Sequence, residues 1–211
     1  MKVDLKSELG DYTAARGRFD VVTVPPRGYL MLDGRGDPNT ASAFGEAVQA
    51  LYPVAYGVKA AARRQLDRDH VVMPLEGLWW SDDWADFTSA RDKSRWSWTL
   101  MILQPDWITS ELVDTAMATA RAKRAEGEHD ALDRLRFEQL DEGLCVQTLH
   151  LGPFDDEGPV LARMHDEVIP GEGLRMRGRH HEVYLSDRRR TAPERLRTIL
   201  RQPVEAVPPG S

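Results

Sequence analysis

One glutamate, Glu182, interrupts the stretch GRHHEVYLSD, which otherwise has the composition of a packed β-strand. Side chains alternate along a strand, so His180 and Tyr184 are expected on the same face as Glu182. Burying a carboxylate without a partner costs several kcal/mol. The face that carries Glu182 is therefore expected either to meet water or to perform a specific task, such as general acid–base chemistry or the binding of a cation.

A second carboxylate, Glu76, lies in the segment PLEGLWW, where alternation places it on the same face as Leu78 and Trp80. A partly desolvated carboxyl group beside aromatic rings favours its neutral form, which suits a general acid or base, whereas the ionised form suits a cationic ligand. The alternative for either glutamate is a structural ion pair with a nearby arginine, such as Arg179.

Six tryptophans occur at positions 79, 80, 84, 96, 98 and 107, within one stretch of the first half of the chain. A local supply of flat apolar rings is what a pocket for a planar aromatic ligand needs. Trp79, Trp80, Trp96 and Trp98 are therefore candidates for the walls of such a pocket. The alternative for each of them is a place in the hydrophobic core.

The histidines and the cysteine give less support for chemistry. His180 and His181 are adjacent and point to opposite faces of a strand, which is poor geometry for one metal ion, and no HExxH or similar spacing occurs. His150 and His165 are better explained as hydrogen-bonded structural residues, and the single cysteine, Cys145, as a small buried hydrophobe. The chain has no GxGxxG, GxxxxGK[ST] or GxSxG pattern. We predict no metal and no cofactor.

Strands and helices that the hydrophobic pattern predicts must position these residues. In the first half these are strands at 19–24 and 29–34, a helix from Asn39 or Thr40, strands at 71–80 and 96–105 separated by an acidic loop, and a helix at about 109–126. A polar linker at 125–134 follows. In the second half they are a strand at 144–152, a helix at 155–169, a strand at 180–186 and a short final strand at 196–204.

Both halves read strand, helix, strand, strand, which indicates an internal repeat. The segment ILQP at 102–105 matches LRQP at 200–203. A second alignment pairs Glu76 with Glu182 and Leu78 with Tyr184. Two such units would be related by pseudo-twofold symmetry, and ligands commonly bind where units of this kind meet.

Composition and charge exclude several classes of protein. The chain has 211 residues, of which 41% are hydrophobic and 29% charged, as in an ordinary globular protein. Its net charge of −6 and its lack of basic clusters interleaved with aromatic residues argue against nucleic-acid binding. No apolar stretch is long enough to cross a bilayer, and the N-terminus lacks the apolar core of a signal peptide. We predict a cytoplasmic protein with no membrane or nucleic-acid partner.

Four segments together resemble the stand-alone GyrI-like small-molecule-binding proteins: VVMPLEGLWW, WSWTLMILQPDWIT, LCVQTLHLGPFDDEGPVLARMH and RHHEVYLSDRRRTAPERLRTILRQPV. The most specific part, HHEVYLSDRRRTAPERL, joins the glutamate-bearing strand to the closing strand. The resemblance implies an α+β fold of tandem β-α-β-β modules, with an antiparallel sheet, helices on one face and a central ligand cleft. We assign about 19–105 to module one, about 109–126 to a linking helix and about 137–204 to module two of a single domain.

Members of this superfamily bind bulky planar aromatic or cationic molecules, and some stand-alone members hydrolyse the cyclopropane ring of cyclopropanoid DNA-alkylating compounds. By this resemblance Glu182 matches the central glutamate, and Glu76 matches a second patch. The implied roles are a general base for Glu182, a partner acid or water-positioning group for Glu76 and an orienting hydroxyl for Tyr184. The implied ligand contacts are Trp79, Trp80, Trp96, Trp98 and His180.

Three functions therefore remain open from the sequence. They are a detoxifying hydrolase, a binding protein that sequesters drugs or senses a metabolite, and a module that binds a protein such as gyrase. A regulator that reads DNA is disfavoured, because no helix-turn-helix segment precedes the first predicted strand. The sequence defines neither the natural ligand nor the oligomeric state.

Overall fold

The structure, a computed structural model, describes residues 2–82, 92–124 and 130–208. The chain divides into two compact units. The first comprises Met1–Glu8 and Arg27–Leu140, and the second comprises Leu9–Pro26 and Asp141–Ser211. Most of the predicted acidic loop, with Trp84, and residues 125–129 of the predicted linker lie outside the described residues.

The described chain contains eleven strands, one long helix and several shorter helices. Numbered along the chain, the strands are β1 (Lys2–Val3), β2 (Asp20–Val24), β3 (Arg27–Arg35), β4 (Asp69–His70), β5 (Glu76–Trp80), β6 (Ser97–Leu103), β7 (Arg136–Leu140), β8 (Gly143–Leu151), β9 (Leu174–Met176), β10 (His180–Tyr184) and β11 (Arg197–Ala206). The α-helices are α1 (Leu5–Glu8), α2 (Ser42–Leu66), α3 (Ser110–Arg121), α4 (Asp130–Arg134), α5 (Gly158–Arg163) and α6 (Ile169–Gly171). A π-helical turn, Met164–Val168, joins α5 to α6.

The first unit is an antiparallel sheet with the strand order β5-β6-β3-β7, packed against α2. One face of α2 is apolar and buried, at Phe44, Ala47, Leu51, Val54 and Val58. The helix ends at Leu66 because Asp67 adopts the left-handed backbone conformation, with φ of 53°, and its amide donates to the carbonyl of Ala62. α3 packs against α2 where Gly57 closely approaches Ala116.

The second unit is an antiparallel sheet with the strand order β2-β8-β11-β10, and β9 pairs with the C-terminal end of β11. The helical segment from α5 to α6 packs on this sheet through Met164 and Ile169. Both side chains join a buried apolar cluster with Val146, Leu200 and Val204. β2 thus belongs to the second unit, although it precedes the main strands of the first unit in the chain.

The two units repeat one strand order. In the first, β6 lies between β3 and β5, and in the second, β11 lies between β8 and β10. The last strand of each strand–helix–strand–strand repeat therefore takes the middle position. Gln104 and Gln202, which match in ILQP and LRQP, are both buried and both donate side-chain hydrogen bonds to backbone carbonyls. The predicted α+β class and the repeat of β-α-β-β modules are confirmed.

Several element boundaries differ from the sequence predictions. β11 is 10 residues long rather than a short strand. Residues 130–134 of the predicted linker form α4, so that part of the linker prediction is wrong. The hydrophobic pattern does not predict β7, because the sequence RFEQL is largely polar and lies at the edge of its sheet, where both faces reach solvent. Within the described residues, no helix has the length and apolar character that a membrane span requires.

Replacing Gly34 by alanine tests the packing of the first unit. Gly34 on β3 lies opposite Trp98 on β6, and a Cβ atom at Gly34 would overlap with the Trp98 ring. Because Trp98 is fully buried, the ring can move only by disturbing its neighbours. We expect Gly34→Ala to lower the free energy of unfolding by about 1–3 kcal/mol, measured by urea denaturation.

Gly45→Ala is the matched control. Gly45 is exposed on α2, and nothing lies within contact distance of a Cβ atom added there. Alanine is the better helix former, so this change is expected to stabilise the protein by up to about 1 kcal/mol. Equal effects of the two substitutions would contradict the packing argument.

Candidate functional site

Strand β10 presents a row of polar side chains on one face of the second unit. Glu182 is 9% exposed, so this residue is almost enclosed but keeps a small exposed area. His180 on the same face is buried, and Tyr184 is partly exposed. The ring of Phe154 contacts Tyr184 edge-on, with 5.5 Å between centroids. The face thus combines a carboxylate, an imidazole, a phenol and an aromatic ring.

His180 stands next to Glu182 without forming an ion pair with it. Its Nε2 lies 3.7 Å from Oε1 of Glu182, which is beyond hydrogen-bond length. Burial lowers the pKa of His180 well below its usual 6.5, and the nearby His165 and His181 lower it further. His180 is therefore neutral at neutral pH, so no imidazolium lies beside Glu182 at this position.

The opposite face of β10 is held by a buried ionic network. His181 Nδ1 lies 2.9 Å from Oε1 of Glu142, and Nη1 of Arg201 donates to Oε2 of the same carboxylate over 3.0 Å. Both carboxylate oxygens are therefore engaged. Because side chains alternate along β10, fixing His181 on this face fixes His180 and Glu182 on the other.

Arg201 uses its remaining donors to hold the segment that precedes β2. Its Nε donates to Oε1 of Gln147 over 3.1 Å, and its Nη2 donates to the backbone oxygen of Asp11 over 2.7 Å and to the Asp11 carboxylate over 3.3 Å. The guanidinium has 0% exposure. Sequence reasoning missed this network, although an arginine inside the apolar strand TILRQPV is an available signal.

The charges in this network keep the Glu142 carboxyl group ionised. Burial by itself raises the pKa of this carboxyl, but His181 and Arg201 act in the other direction and lower the pKa to about 2. Glu142 is therefore ionised at neutral pH, which matches the positive charge of the buried guanidinium. Arg177 adds a hydrogen bond to the Glu142 backbone carbonyl.

In the first unit, the predicted carboxylate Glu76 opens strand β5 and is completely buried. Alternation places it on the same face as Trp80, which is partly exposed, and on the face opposite to Trp79. Trp79 stacks on Phe44 of α2, with ring centroids 6.2 Å apart. Glu76 therefore points away from α2.

Three of the four predicted wall tryptophans pack together on the α2 side of the first unit. Trp98 meets Phe44 edge-on at 5.4 Å, and Trp96 meets Trp79 edge-on at 5.9 Å. Trp98 is fully buried, and its Nε1 donates to the carbonyl of Gly36 over 3.3 Å. Trp98 thus has a core position, and contact of the other tryptophans with a ligand stays a prediction.

The strand registers contradict the alignment of Glu76 with Glu182. β5 pairs Glu76 with Met101, whereas β10 pairs Glu182 with Leu200. Since ILQP matches LRQP, the counterpart of Leu200 is Ile102, one residue beyond Met101. A shift of one residue moves a side chain to the other face of a strand.

The sheet faces on which Glu76 and Glu182 lie also contradict their alignment. His180 shares its face with Glu182 and contacts the ring of His165, at 6.1 Å between centroids, so Glu182 lies on the helical side of its own unit. Glu76 lies on the side of its unit that faces away from the helix. The two carboxylates therefore do not have equivalent positions in the repeat.

Metal chemistry gains no support from the described ranges. Within residues 2–82, 92–124 and 130–208, no group of three or more histidine, cysteine, aspartate or glutamate side chains could hold a metal ion. Burial raises the pKa of the Cys145 thiol to about 12, so this cysteine is not a ready nucleophile.

A few polar side chains among aromatic rings, as on the β10 face, are typical of small-molecule sites. The sequence pattern of the GyrI-like small molecule binding domain matches residues 18–205, and the chain belongs to this family. No protein with a curated description matches the chain.

Solved structures extend this relationship over the whole chain. An uncharacterized conserved protein from Listeria innocua is 39% identical, with a TM-score of 0.85 over 97% of this chain and 100% of that chain. A hydrolase from Listeria innocua is 37% identical, with a TM-score of 0.81 and 97% and 100% coverage. The EcmrR C-terminal domain is 10% identical, with a TM-score of 0.54 over 90% of this chain and 98% of that chain, a likeness of fold alone.

Replacing Arg201 tests whether the buried network holds the second unit. Arg201→Met keeps a long apolar side chain but leaves Glu142 and Asp11 without their cation. Removing one partner of a buried ion pair typically costs about 3–5 kcal/mol, and we expect a loss of that size in the free energy of unfolding by urea denaturation. The control is Arg175→Met, because Arg175 and Glu205 form an exposed pair, with side chains 57% and 45% exposed. Its loss should stay below about 1 kcal/mol, and equal losses would refute the network argument.

The lowered pKa of Glu142 predicts a loss of stability in acid. Its folded-state pKa of about 2 lies below its usual 4.5, so the unfolded chain binds the proton first as pH falls. The stabilisation is complete above the unfolded value and is lost as pH falls through the folded value. We expect Glu142→Gln to be less stable than the parent at neutral pH and to lose less stability on acidification. Urea denaturation at a series of pH values measures both, and parallel curves would contradict this role.

Proposed function

We propose that this protein binds a bulky planar aromatic or cationic small molecule and hydrolyses it, with Glu182 as the general base. The observation that carries the proposal is the β10 face, where Glu182, nearly enclosed but 9% exposed, shares a face with Tyr184 and the neutral His180. A carboxylate in such surroundings can take a proton from an attacking water. The adjacent rings of Phe154 and Tyr184 offer flat apolar surface to an aromatic substrate.

The proposed substrate class is a cyclopropanoid DNA-alkylating compound, whose strained ring is conjugated to a dienone. Water attacks a cyclopropane carbon and forms a new C–O bond, while the C–C bond of the strained ring breaks. The released electron pair moves through the conjugated system to the carbonyl oxygen and gives a phenolate. Glu182 accepts the proton that the water loses, and the phenolate takes a proton from solvent. The product is a ring-opened alcohol that no longer alkylates DNA, so the reaction detoxifies the compound.

Tyr184 and Glu76 have supporting roles in this proposal. The Tyr184 hydroxyl, on the same face as Glu182, orients the water or the substrate. A role of Glu76 as a second acid or water-positioning group, and contact of Trp79, Trp80 and Trp96 with a ligand, stay predictions from the family resemblance. The position of Glu182 carries the proposal by itself, so the role of Glu76 is tested separately.

The similar proteins support the proposed reaction class and the binding of a small molecule. A Listeria innocua protein that is 37% identical over 97% of this chain is described as a hydrolase, which matches the proposed reaction class. Membership of the GyrI-like family gives the small-molecule binding on which the reaction depends.

Sequestration without turnover is the second candidate. Because His180 is neutral, it does not offset the negative charge of Glu182, and aromatic rings lie nearby. A carboxylate and aromatic faces together attract a cation without any chemical step. A protein of this kind would lower the free concentration of a toxic compound by tight binding.

Mass spectrometry of a cyclopropanoid alkylator incubated with the purified protein separates the two functions. The hydrolase produces the ring-opened alcohol over many turnovers. Glu182→Gln is expected to lower the turnover rate by at least about 100-fold, because a general base contributes roughly that much. Glu194→Gln, at an exposed position of the same unit, should leave the rate unchanged.

The remaining outcomes decide the alternatives. Tight binding of intact drug by the parent protein, with no product, would establish sequestration and refute hydrolysis of that compound. Product formation that survives Glu182→Gln would remove Glu182 from its proposed role. Glu76→Gln, assayed alongside, shows whether a second carboxyl group is needed.

A further inference from the structure

A histidine outside the predicted site, His165, lies behind Glu182 in the second unit. The rings of His165 and His180 meet edge-on, at 82° and 6.1 Å between centroids. His180 in turn places its Nε2 3.7 Å from Oε1 of Glu182. The three side chains form a row that runs from the carboxylate through a buried imidazole to a half-buried one.

The backbone around His165 is unusual. His165 belongs to the π-helical turn Met164–Val168, which inserts an extra residue into the helical segment between α5 and α6. Such turns are rare in proteins and occur frequently at functional sites. Here the turn buries Met164 in the core and presents the next residue, His165, to His180.

The proposed reaction creates a need for such a row. Glu182 gains a proton in each turnover and must lose it before it can act again. The carboxylate is only 9% exposed, and a bulky ligand on the β10 face would cover what remains. With the ligand or product in place, direct exchange of that proton with solvent is blocked. A path through the protein would restore the base without waiting for the site to empty.

We propose that His180 and His165 relay protons between Glu182 and solvent while a ligand covers the carboxylate. The inference rests on the proposed hydrolysis and assigns His165 a role that acts through Glu182. Each imidazole has one nitrogen that donates and one that accepts, so each can take up a proton on one side and release another on the opposite side.

The transfer balances and leaves no lasting charge on either histidine. The proton on the Glu182 carboxyl group moves to Nε2 of His180, and the gap of 3.7 Å requires a bridging water or a closer approach when the ligand binds. His180 releases the proton held on Nδ1 toward His165, a step that also requires a bridging water or a closer approach because the ring centroids are 6.1 Å apart, and His165 passes one proton to solvent. Glu182 regains its negative charge, and both imidazoles end neutral.

The surroundings keep both histidines of the row neutral in the resting state. Burial lowers the pKa of His180 and that of His165. Around His180, His181 lowers its pKa further, while Gln202 on β11 and the Glu142 carboxylate raise it by smaller amounts. Asp166, next to His165 in the π-helical turn, raises the pKa of His165 slightly. Neither histidine therefore holds a proton so firmly that the relay would stop.

His165→Phe tests the relay in the full-length protein, because phenylalanine keeps the ring but removes both nitrogens. With drug below the protein concentration, so that each molecule turns over once, the rate of product formation should match that of the parent. With drug in excess, steady-state turnover should fall at least about tenfold, and added imidazole should restore it. The control, Glu167→Gln, alters an exposed neighbour in the same turn and retains the imidazole. An unchanged steady-state rate in His165→Phe, or a loss that imidazole does not restore, would overturn the relay.

A second measurement does not depend on turnover. Nuclear magnetic resonance follows exchange of the His180 ring N–H proton with water in Glu182→Gln, where the carboxylate path is removed. Adding His165→Phe to this variant should slow the exchange at least about tenfold, because the route through His165 is closed. Equal exchange rates would refute the relay even if the parent protein hydrolyses the drug. Slowed exchange in a protein that forms no product would keep the proton path and refute the proposed hydrolysis instead.

Discussion

The arrangement of the second unit depends on one buried cation. Arg201 lies in the central strand β11 with 0% exposure, so the acceptors for its guanidinium hydrogen bonds must be groups of the protein. Its acceptors are on Glu142 before β8, on Gln147 within β8 and on Asp11 before β2. The Asp11 segment, residues 142–147 and β11 are distant in sequence and are therefore held in one geometry, because moving Asp11 or Glu142 away from Arg201 would leave buried charge uncompensated.

The Arg201 network also fixes which side chains of β10 lie at the candidate site. The network holds β10 by His181, on the face that needs no access to ligand. The alternate residues of the same strand, His180 and Glu182, are thereby directed to the helical side, where Glu182 keeps a small exposed area and His180 stays neutral. One short strand thus separates a rigid ionic face from a face suited to chemistry. Preorganisation of this kind is what a general base requires, since a small displacement of the carboxylate would cost much of its effect.

Local patterns in the sequence were enough to predict most strands, both main helices, the repeat and the shared face of His180, Glu182 and Tyr184, because these follow from side-chain periodicity. Contacts across long sequence distances could not be predicted in this way. The partners Glu142 and Arg201 carry no mutual signal in the chain, and the alignment of Glu76 with Glu182 failed because a one-residue register difference is invisible without the paired strand. The π-helical turn that presents His165 has no hydrophobic pattern of its own.

The place of β2 in the chain affects how the protein must be made. Residues 20–24 leave the ribosome early, but their partner strand β8 begins only at Gly143, after all residues of the first unit. During that interval β2 has no strand to pair with, and the Asp11 segment has no arginine to hold it. β2 therefore stays unpaired, as the kind of strand that aggregates or recruits chaperones, until β8 has been made, and the Asp11 segment stays without its cation until synthesis reaches Arg201.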